Sequence, residues 1–464
     1  MPQVNDVHSR LNETRVDRIV PADSIDVVVR AVREAQTSGT AVSIAGSRHS
    51  MGGQQFVTDG LLLDMRPMRQ VLDFDPVAGT VECGAGIEWR ELIGDYLARQ
   101  EDGSGWGIAQ KQTGVDELTV GGSVSVNCHG RGLAMRPLID DVESLTLVDP
   151  EGEIRRCSHT EEPELFRLVV GGYGLFGVIT SVTLRLAPRR KLERVVELGT
   201  ISGLMTAFEE RIRDGFVFGD FQFAIDEQSP GFLDDGVFSC YRPVDSHTPI
   251  PAGQRELSDE AWKELLWLTH TDKSQAFDLY AQHYLATSGQ IYWSDTHQLT
   301  SYVEGYHEEI DRRRDAAHPA TEMIGELYVP RHRLADFMAA AADELRQSGI
   351  DVIYGTVRLI ERDDESVLAW AREPWACIVF NLCVPHTEDG RERGVAAFRS
   401  LIDLAVQRGG SYFLTYHRWA SRQQVEACHP RMAEFLRLKR RYDPGEVFQS
   451  DWYRHYKQIF ADQL

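Results

Sequence analysis

A glycine-rich loop near the N-terminus has the residue types needed to hold an anion. The stretch from Ala45 to Gln54, AGSRHSMGGQ, directly follows the apolar run TAVSI, which predicts a strand that ends in a tight loop. Gly46, Gly52 and Gly53 allow positive φ angles and the close approach of a ligand, and consecutive backbone N–H groups in such a loop form an anion-binding nest. The loop is therefore a candidate pyrophosphate site, although ordinary turns at strand ends share the same pattern.

A second glycine-rich segment, residues 113–132, combines small residues with groups that could do chemistry. Its sequence is TGVDELTVGGSVSVNCHGRG. Gly121 and Gly122 allow the backbone to pack against a flat ring. His129 is a candidate acid–base or substrate-binding group, because an unperturbed imidazole titrates near neutral pH, but a structural role is equally compatible with the pattern. Cys128, beside it, is compatible with a place next to a ligand and with ordinary packing.

The elements around these two segments alternate between helix and strand. Apolar spacing predicts helices over 27–38 and 89–97, and short buried strands at 60–65 and 79–86. A loop is predicted at 103–107, and residues 140–155 predict a hairpin around the turn DPEG. Clean alternation over 174–186 predicts a further strand. Helices and strands that alternate in this way would hold both glycine segments at strand ends.

This order of elements resembles the FAD-binding domain of the vanillyl-alcohol-oxidase superfamily, which is also called PCMH-type. The pattern Gly-x-x-His-Ser-x-x-Gly-Gln in the first loop is most similar to cytokinin dehydrogenases and, less closely, to alditol and aldonolactone oxidases. The resemblance implies FAD as the cofactor. In those relatives the loop histidine carries the flavin through its 8α-methyl group, which implies a covalent bond at His49. Relatives with a doubly attached flavin place a cysteine just before the glycine pair of the second segment. Residues 116–119, DELT, include no cysteine, so at most one covalent link is expected.

The resemblance also implies which residues contact FAD. The first loop holds the flavin, the second segment runs along the pyrophosphate and beneath the isoalloxazine ring, and a Gly-Val-Ile element touches the adenine half. The residues expected to bind the cofactor are Ala45, Gly46, Ser47, Arg48, His49, Ser50, Met51, Gln54, Thr113, Asp116, Thr119, Gly121, Gly122, Ser123, Ser125, Val126, Cys128, His129, Gly177, Val178 and Ile179.

Charged residues within predicted strands mark a possible catalytic face further along the chain. Glu326 precedes the strand end YVP, and Arg358 lies in the strand VRL. Both match elements that line the catalytic face in sugar- and lactone-oxidising relatives. A buried charge costs several kcal/mol unless it is paired or solvated, so the two residues predict either an active-site cleft or an internal ion pair.

The candidate catalytic residues are Glu326, Arg358, Tyr416, His417 and His129. In alditol and decaprenylphosphoryl-ribose oxidases, the strand that here carries Tyr416 and His417 usually delivers a lysine near the flavin, and this chain lacks that lysine. An acid–base pair of Tyr416 and His417 stays open, with His129 as the alternative base. Glu326 is expected to accept a hydrogen bond from a substrate hydroxyl.

The expected fold class is α+β with three parts. Residues 1–190 form a PCMH-type FAD-binding domain of two α/β subdomains, and residues 191–418 form a substrate domain in which helices cover an antiparallel sheet. The boundary is placed at the charged, proline-bearing junction PRR, as is typical between domains. Residues 419–464 form a C-terminal segment that returns to the FAD domain, and its ending RRYDPGEVFQSD resembles decaprenylphosphoryl-ribose oxidases.

Composition argues against several classes of partner. The 464 residues include 49 basic and 71 acidic side chains, so the formal net charge is −22, which disfavours nucleic acid and anionic membranes. No apolar run approaches a membrane span, and the N-terminus lacks a signal-peptide pattern, so a cytoplasmic location is expected. Seven cysteines without Cys-x-x-Cys spacing fit neither a disulfide framework nor a zinc site, and no metal is expected.

These observations together predict an FAD-dependent oxidoreductase. The leading expectation is oxidation of a CH–OH group of a polyol, sugar, nucleoside or related hydroxylated small molecule by hydride transfer to flavin N5, with reoxidation by O2 or another acceptor. The alternatives are oxidation of a C–N bond, as in cytokinin dehydrogenases, and a flavin-binding protein without turnover. The sequence carries no signal for the identity of the substrate or for the oligomeric state.

Overall fold

The computed structural model describes residues 1–100, 105–300, 303 and 305–464, so the first two residues of the loop predicted at 103–107 lie outside the described part. Up to residue 188 the described elements are β1 (Gln3–Val4), β2 (Thr14–Arg15), β3 (Arg18–Pro21), α1 (Ile25–Ser38), β4 (Val42–Ala45), β5 (Leu61–Asp64), β6 (Val71–Asp75), β7 (Thr80–Gly84), α2 (Trp89–Ala98), β8 (Trp106–Ile108), α3 (Val120–Ser125), β9 (Val142–Val148), β10 (Ile154–Ser158), α4 (Pro163–Val169) and β11 (Val178–Pro188).

Two sheets form most of this first part of the chain, beside the two-stranded pair of β1 and β2. Strands β3, β5 and β4 make a parallel sheet, and the apolar stripe of α1 packs in one core cluster with Leu61 and Leu63. The second sheet is antiparallel in the order β10-β9-β11-β7-β6, and β8 pairs with β11. The predicted helices at 27–38 and 89–97, the hairpin at 140–155 and the strand ending at 186 are confirmed.

A large antiparallel sheet with helices on both faces follows. Its elements are β12 (Lys191–Thr200), α5 (Ile201–Arg213), β13 (Phe218–Phe223), β14 (Asp235–Pro243), α6 (Asp259–Thr271), α7 (Lys273–Leu285), β15 (Ile291–Trp293), α8 (Tyr306–Arg313), β16 (Ala320–Pro330), α9 (Leu334–Ser348), β17 (Asp351–Ile360), β18 (Trp375–Pro385), α10 (Glu388–Val406) and β19 (Ser411–Tyr412). The strand order is β15-β12-β14-β13-β17-β18-β16-β19.

The register of this sheet separates an apolar face from a polar one. Side chains alternate between the two faces along each strand, so residues an even number apart share a face. Phe221 lies opposite Val357, and both are buried in one core cluster with apolar residues of α5, α9 and α10. The next position of β13, Gln222, points to the other face. There it begins a row of directly opposite residues that continues across β17, β18 and β16 as Thr356, Val379 and Glu326. Arg358 and Glu326 therefore share the polar face, opposite α5, α9 and α10, and α7 packs on this face beside β12 and β14.

The C-terminal segment carries α11 (Arg422–Cys428), α12 (Met432–Tyr442) and α13 (Asp451–Ile459) and pairs with the parallel sheet. The N–H of Val42 donates to the carbonyl of Val447 at 2.8 Å, and the N–H of Gln449 donates back to the carbonyl of Val42 at 2.9 Å. Asp443 holds this turn, because its carboxylate accepts the N–H groups of Val447 and Phe448. The segment thereby extends the sheet at the strand that leads into the first glycine loop.

Mixed helices and mainly antiparallel sheets confirm the predicted α+β class. Among the helices of the described residues, none combines the length and the apolar character that a membrane span requires.

Candidate active site

A cavity of about 860 Å³ lies between the two glycine segments and the polar face of the large sheet. Its volume falls within the range of about 300–1,000 Å³ that is usual for small-molecule sites. The predicted site residues that line it are Gly46, Ser47, Arg48, His49, Ser50, Met51, Gln54, Thr113, Thr119, Gly121, Gly122, Ser123, Ser125, Val126, Cys128, Gly177, Ile179, Arg358 and Tyr416. Ala45, Asp116, His129, Val178, Glu326 and His417 lie outside this lining.

The first loop is fixed against the second glycine segment. A Cβ atom at Gly46 would lie 2.1 Å from Oγ1 of Thr119, so a side chain at position 46 would force the two segments apart. Gly53 has a φ angle of +75°, which only glycine adopts without strain, and Arg48 takes +64°. The N–H of Met51 donates to the carbonyl of Thr415 at 3.2 Å. This last bond joins the loop to the segment that delivers Tyr416.

The second segment begins a short helix at the cavity wall. Thr119 caps α3 by accepting the N–H of Gly122 at 3.3 Å, and the N–H of Gly121 donates to the carbonyl of Ala85 at 2.8 Å. A Cβ atom at Gly121 would lie 2.7 Å from the Cβ of Ala85. The glycine at 121 therefore allows α3 to lie directly on the end of β7, at the wall of the cavity.

Asp116 has a structural place rather than one at the cavity wall. Its carboxylate lies 2.7 Å from Nζ of Lys111, both side chains are fully buried, and it also pairs with Arg90. The N–H of Thr300 donates to it at 3.0 Å. Asp116 therefore joins the second glycine segment to the segment after β15, and its carboxylate already has protein partners.

His49 lies against a second histidine that sequence reasoning did not single out. Nδ1 of His49 and Nε2 of His8 are 2.9 Å apart, and the ring centroids are 4.9 Å apart. Burial lowers the pKa of His49 to about 3 and that of His8 to about 4. Both imidazoles are therefore neutral at pH 7. His8 belongs to a segment without secondary-structure periodicity, so the sequence held no signal for this contact.

A hydrogen-bonded chain of three predicted residues reaches the cavity from behind. Nε2 of His129 lies 2.5 Å from Oε1 of Glu326, and the hydroxyl of Tyr416 donates to Oε2 of Glu326 at 3.4 Å. Nδ1 of His129 lies 2.9 Å from the carbonyl of Gly130 and must carry a proton to donate to it. At 2.5 Å, Nε2 and Oε1 must share a further proton, because two lone pairs would repel. We call His129, Glu326 and Tyr416 the relay residues.

The electrostatic surroundings keep Tyr416 protonated. Burial raises the pKa of its phenol well above the ordinary value, the carboxylate of Glu326 adds to the rise, and Arg358 opposes it. A phenolate base formed by the influence of Arg358 is therefore disfavoured. Arg358 is only 6% exposed and, within the described residues, forms no ion pair with Glu326, which is bonded to His129 instead.

His417 follows Tyr416 but lies away from the cavity lining. It is 3% exposed and stacks on Trp419, with ring centroids 4.2 Å apart and planes at 16°. Burial lowers the pKa of His417 to about 4, and the nearby charge of Asp6 opposes this effect. The two members of the predicted Tyr416–His417 pair are thus separated, since only the tyrosine lines the cavity.

We predict that His417 contributes to acid sensitivity. Its pKa is lower in the folded chain than the ordinary 6.5, so the unfolded chain binds the extra proton between about pH 6.5 and pH 4, and stability falls as the pH falls through this window. His417→Gln should remove about 1 kcal/mol of the loss between pH 7.5 and 5.5. Urea unfolding of both proteins at the two pH values measures the difference, and equal losses would contradict the prediction.

Several buried polar atoms at the first-domain side of the cavity fit a polar cofactor. Nε of Arg48, Oε1 of Gln55, Oε1 of Gln112 and Oγ1 of Thr113 are buried and have no hydrogen-bond partner within the described residues. Buried polar groups are normally hydrogen-bonded, so these atoms suit a ligand rich in oxygen and nitrogen. The thiol of Cys128 is protonated there, because burial raises its pKa to about 12.

Comparison with known proteins supports a cofactor site at the two glycine segments. Residues 16–158 match the family described as FAD binding domain. The chain is 23% identical to L-gulono-1,4-lactone dehydrogenase from Mycobacterium tuberculosis over 93% of each chain. It is 22% identical to decaprenylphosphoryl-β-D-ribose oxidase from Mycolicibacterium smegmatis over 95% of this chain and 94% of the relative.

A third relative matches over a smaller part of the chain. Cytokinin dehydrogenase 2 from Oryza sativa subsp. japonica is 32% identical over 41% of this chain and 34% of its own length. The relatives matched at 32% or 33% identity share between 28% and 39% of their own length with this chain.

The matched family and these relatives therefore place the chain among the FAD-binding flavoproteins of the oxidoreductase class. The chain carries a PCMH-type FAD-binding domain, and the resemblance to the vanillyl-alcohol-oxidase superfamily is confirmed by the matched family and by these relatives.

Proposed function

We propose that the protein oxidises a CH–OH group of a hydroxylated small molecule, with FAD bound covalently at His49 and with O2 or another acceptor taking up the electrons. The single observation that carries this proposal is the chain of relay residues. It ends at a tyrosine hydroxyl in the wall of the cavity that the first glycine loop also lines. An alcohol oxidation needs a group that accepts the hydroxyl proton, and this chain supplies one.

The residues of the first domain would hold the cofactor. The backbone of the loop from Gly46 to Met51 would face its pyrophosphate, and Arg48 would add a positive charge beside it. Thr113 and Gln112 would satisfy their buried oxygens on the same ligand. When bound, FAD supplies the hydride acceptor.

The relay residues would remove the proton from the substrate. As hydride leaves the carbon, positive charge builds there, and loss of the hydroxyl proton relieves it. Tyr416 accepts the substrate proton while its own proton passes to Oε2 of Glu326, to which it already donates. His129 holds Glu326 from the other side through the shared proton. The role first expected for Glu326, a hydrogen bond from a second substrate hydroxyl, is thus replaced by a place in the proton path.

Arg358 would orient the substrate oxygen. Its guanidinium lines the cavity, influences the phenol of Tyr416 and, within the described residues, has no carboxylate partner. A guanidinium donates to a hydroxyl or alkoxide oxygen without accepting a proton from it. Arg358 therefore stabilises the negative charge that develops on oxygen as the proton leaves.

The relatives support an alcohol or lactone substrate over an amine. Those that match over nearly the whole chain are named for a gulonolactone and a decaprenylphosphoryl ribose, whereas the cytokinin dehydrogenase matches over 41% of this chain. Substrate chemistry depends on the large sheet, which the first group shares.

Anaerobic bleaching of the holoenzyme tests the proposal. We expect a panel of polyols, sugars and nucleosides to contain compounds that bleach the flavin, and the matched deoxy compounds or methyl ethers to leave it oxidised. Secondary amines with an allylic side chain form the second arm, because bleaching by these alone would assign the protein to C–N oxidation. A flavin that stays yellow with every compound would favour a protein without turnover.

A further inference from the structure

A cluster of arginine and tyrosine side chains lies at the part of the cavity formed by β12, β14 and β15. Arg131, Arg194, Tyr284 and Tyr292 line the cavity, and Tyr241 lies directly behind them. We call these five residues the arginine–tyrosine pocket. The guanidinium carbon of Arg194 lies 5.0–5.1 Å from the ring centroids of the three tyrosines, and that of Arg131 lies 5.1 Å from the ring of Tyr241. Cation–π contacts of this kind hold both guanidinium groups in place.

The two arginines differ in how their charge is balanced. Arg131 lies 3.5 Å from Oδ1 of Asp220, which also lines the cavity. Arg194 forms no ion pair in the part of the chain that the structure describes. Its Nε donates to the hydroxyl of Tyr241 at 2.8 Å, a terminal nitrogen donates to the same hydroxyl, and the other donates to Oγ1 of Thr287 at 3.1 Å. Three of its five N–H groups are used, so two remain.

Arg358 adds a second uncompensated charge to the same cavity. It is 6% exposed, and its Nε has no hydrogen-bond partner among the described residues. Tyr354 also lines the cavity; burial raises its pKa to about 12, and the charges of Arg358 and Arg131 oppose this rise. Six arginines line the cavity against three acidic residues, Asp220, Glu256 and Glu322, so its formal charge is positive in a protein whose formal net charge is −22. Buried unpaired charges are costly, so an arrangement of this kind suits a ligand of opposite charge.

We propose that the arginine–tyrosine pocket binds an anionic group of the substrate, a carboxylate or a phosphate, and that Arg194 is the residue that recognises it. This inference rests on the proposed oxidation and adds the class of substrate: a hydroxylated molecule that carries a negative charge away from the reacting carbon. The two remaining N–H groups of Arg194 match two oxygens of either anion. Asp220 balances the charge of Arg131, so the charge of Arg194 is the one in this pocket that is left to pair with an anionic group.

The wall opposite the sheet suits a ring as the body of this substrate. Tyr280 and Tyr284 on α7 stack with ring centroids 4.2 Å apart, and Phe277 and Trp262 line the same side. Gln222, on the sheet side, offers hydrogen bonds to hydroxyl groups. The substrate therefore spans from Tyr416, where the hydroxyl is oxidised, to Arg194, where the charge is held.

Matched probes test this assignment in the FAD-loaded protein. D-Sorbitol, D-gluconate and D-glucose 6-phosphate carry similar hydroxyl groups but differ in charge. We expect the two anions to bind about 10- to 100-fold more tightly than sorbitol, as the loss of a charged hydrogen bond implies, when binding is followed by perturbation of the flavin spectrum. The comparison of gluconate with glucose 6-phosphate distinguishes a carboxylate from a phosphate. Equal binding of all three probes would overturn the inference.

Variants identify the residue. Arg194→Gln should weaken binding of the preferred anion by about 10- to 100-fold and leave sorbitol binding and FAD content unchanged. Arg194→Lys keeps the charge and should lose less, and it decides the matter if the glutamine variant does not fold. Arg213→Gln, at an exposed position of α5, is the control and should change nothing. An anion preference that survives in both Arg194 variants would contradict the role of Arg194.

The outcomes separate this inference from the proposed oxidation. Anion binding that depends on Arg194 without flavin bleaching by any alcohol would support the pocket and contradict the oxidation. Bleaching by neutral polyols, with no preference for their anionic counterparts, would support the oxidation and contradict the pocket.

Discussion

Tyr416→Phe should lower the rate of anaerobic flavin reduction at saturating substrate by about 10²- to 10⁴-fold, the contribution expected of a positioned acid–base group. The phenylalanine ring fills the same space but cannot take the substrate proton or pass one to Glu326. Substrate binding should change little, because the lost group acts mainly as the proton leaves. Stopped-flow reduction with a substrate from the bleaching panel measures the rate directly.

Two further variants test whether Tyr416 acts through Glu326. Glu326→Gln keeps a hydrogen-bond acceptor for Tyr416 but cannot take up its proton, so it should also lower the reduction rate. Tyr354→Phe removes another half-buried phenol from the cavity lining, one that within the described residues donates no hydrogen bond to Glu326, and serves as the matched control. If Tyr416→Phe reduces flavin at the wild-type rate between pH 6 and 9, the proton path does not pass through this tyrosine.

The first domain could be predicted from the sequence because its signals are local. The strand before the loop, the glycines that touch neighbouring backbone, and the stripe of α1 each depend on residues close along the chain. Gly46 illustrates this, because a side chain at this position would collide with Thr119. Thr119 belongs to the second glycine segment, which the sequence also marked. Both partners of that contact were visible as motifs, although the contact itself was not.

The chemistry of the site could be predicted only in part, because it depends on contacts between distant residues. His129 and Glu326 are 197 positions apart, and nothing in either motif indicates that they share a proton. The sequence allowed Glu326 to pair with Arg358. Both lie on one face of the sheet, but Glu326 bonds to His129 and Tyr416, and Arg358 forms no ion pair within the described residues. Burial then decides protonation: it lowers the pKa of His417 and raises that of Tyr416, the reverse of what two adjacent bases would need.

Asp116 and His8 also show that a motif does not determine which residue a side chain contacts. Asp116 stands in a motif expected to touch the cofactor, but a buried lysine five residues earlier takes its charge. His8 stands in no motif and lies against the histidine expected to carry the flavin. A side chain's partner across the fold, which composition and spacing do not record, determines its role in both cases.

His49→Ala should abolish covalent attachment of the flavin entirely. Protein purified with His49 should stay yellow after acid precipitation, and a tryptic peptide that contains His49 should carry the mass of the flavin. The alanine variant should release all of its colour to the supernatant while still binding FAD, since the backbone of the loop and its bond to Thr415 do not depend on the imidazole.

The low pKa of His49 adds a pH test to this prediction. Attachment requires a neutral imidazole whose nitrogen lone pair bonds to the 8α carbon, and burial keeps His49 neutral at every pH well above about 3. Reconstitution of the apoprotein with FAD should therefore reach the same covalent yield at pH 6 and pH 8, whereas a histidine of ordinary pKa would attach less at pH 6. His283→Ala, which removes another histidine from the cavity lining, is the control and should keep the colour with the protein. Wild-type protein that loses its colour to acid, or a His49→Ala variant that retains it, would show that the bond lies elsewhere or does not form.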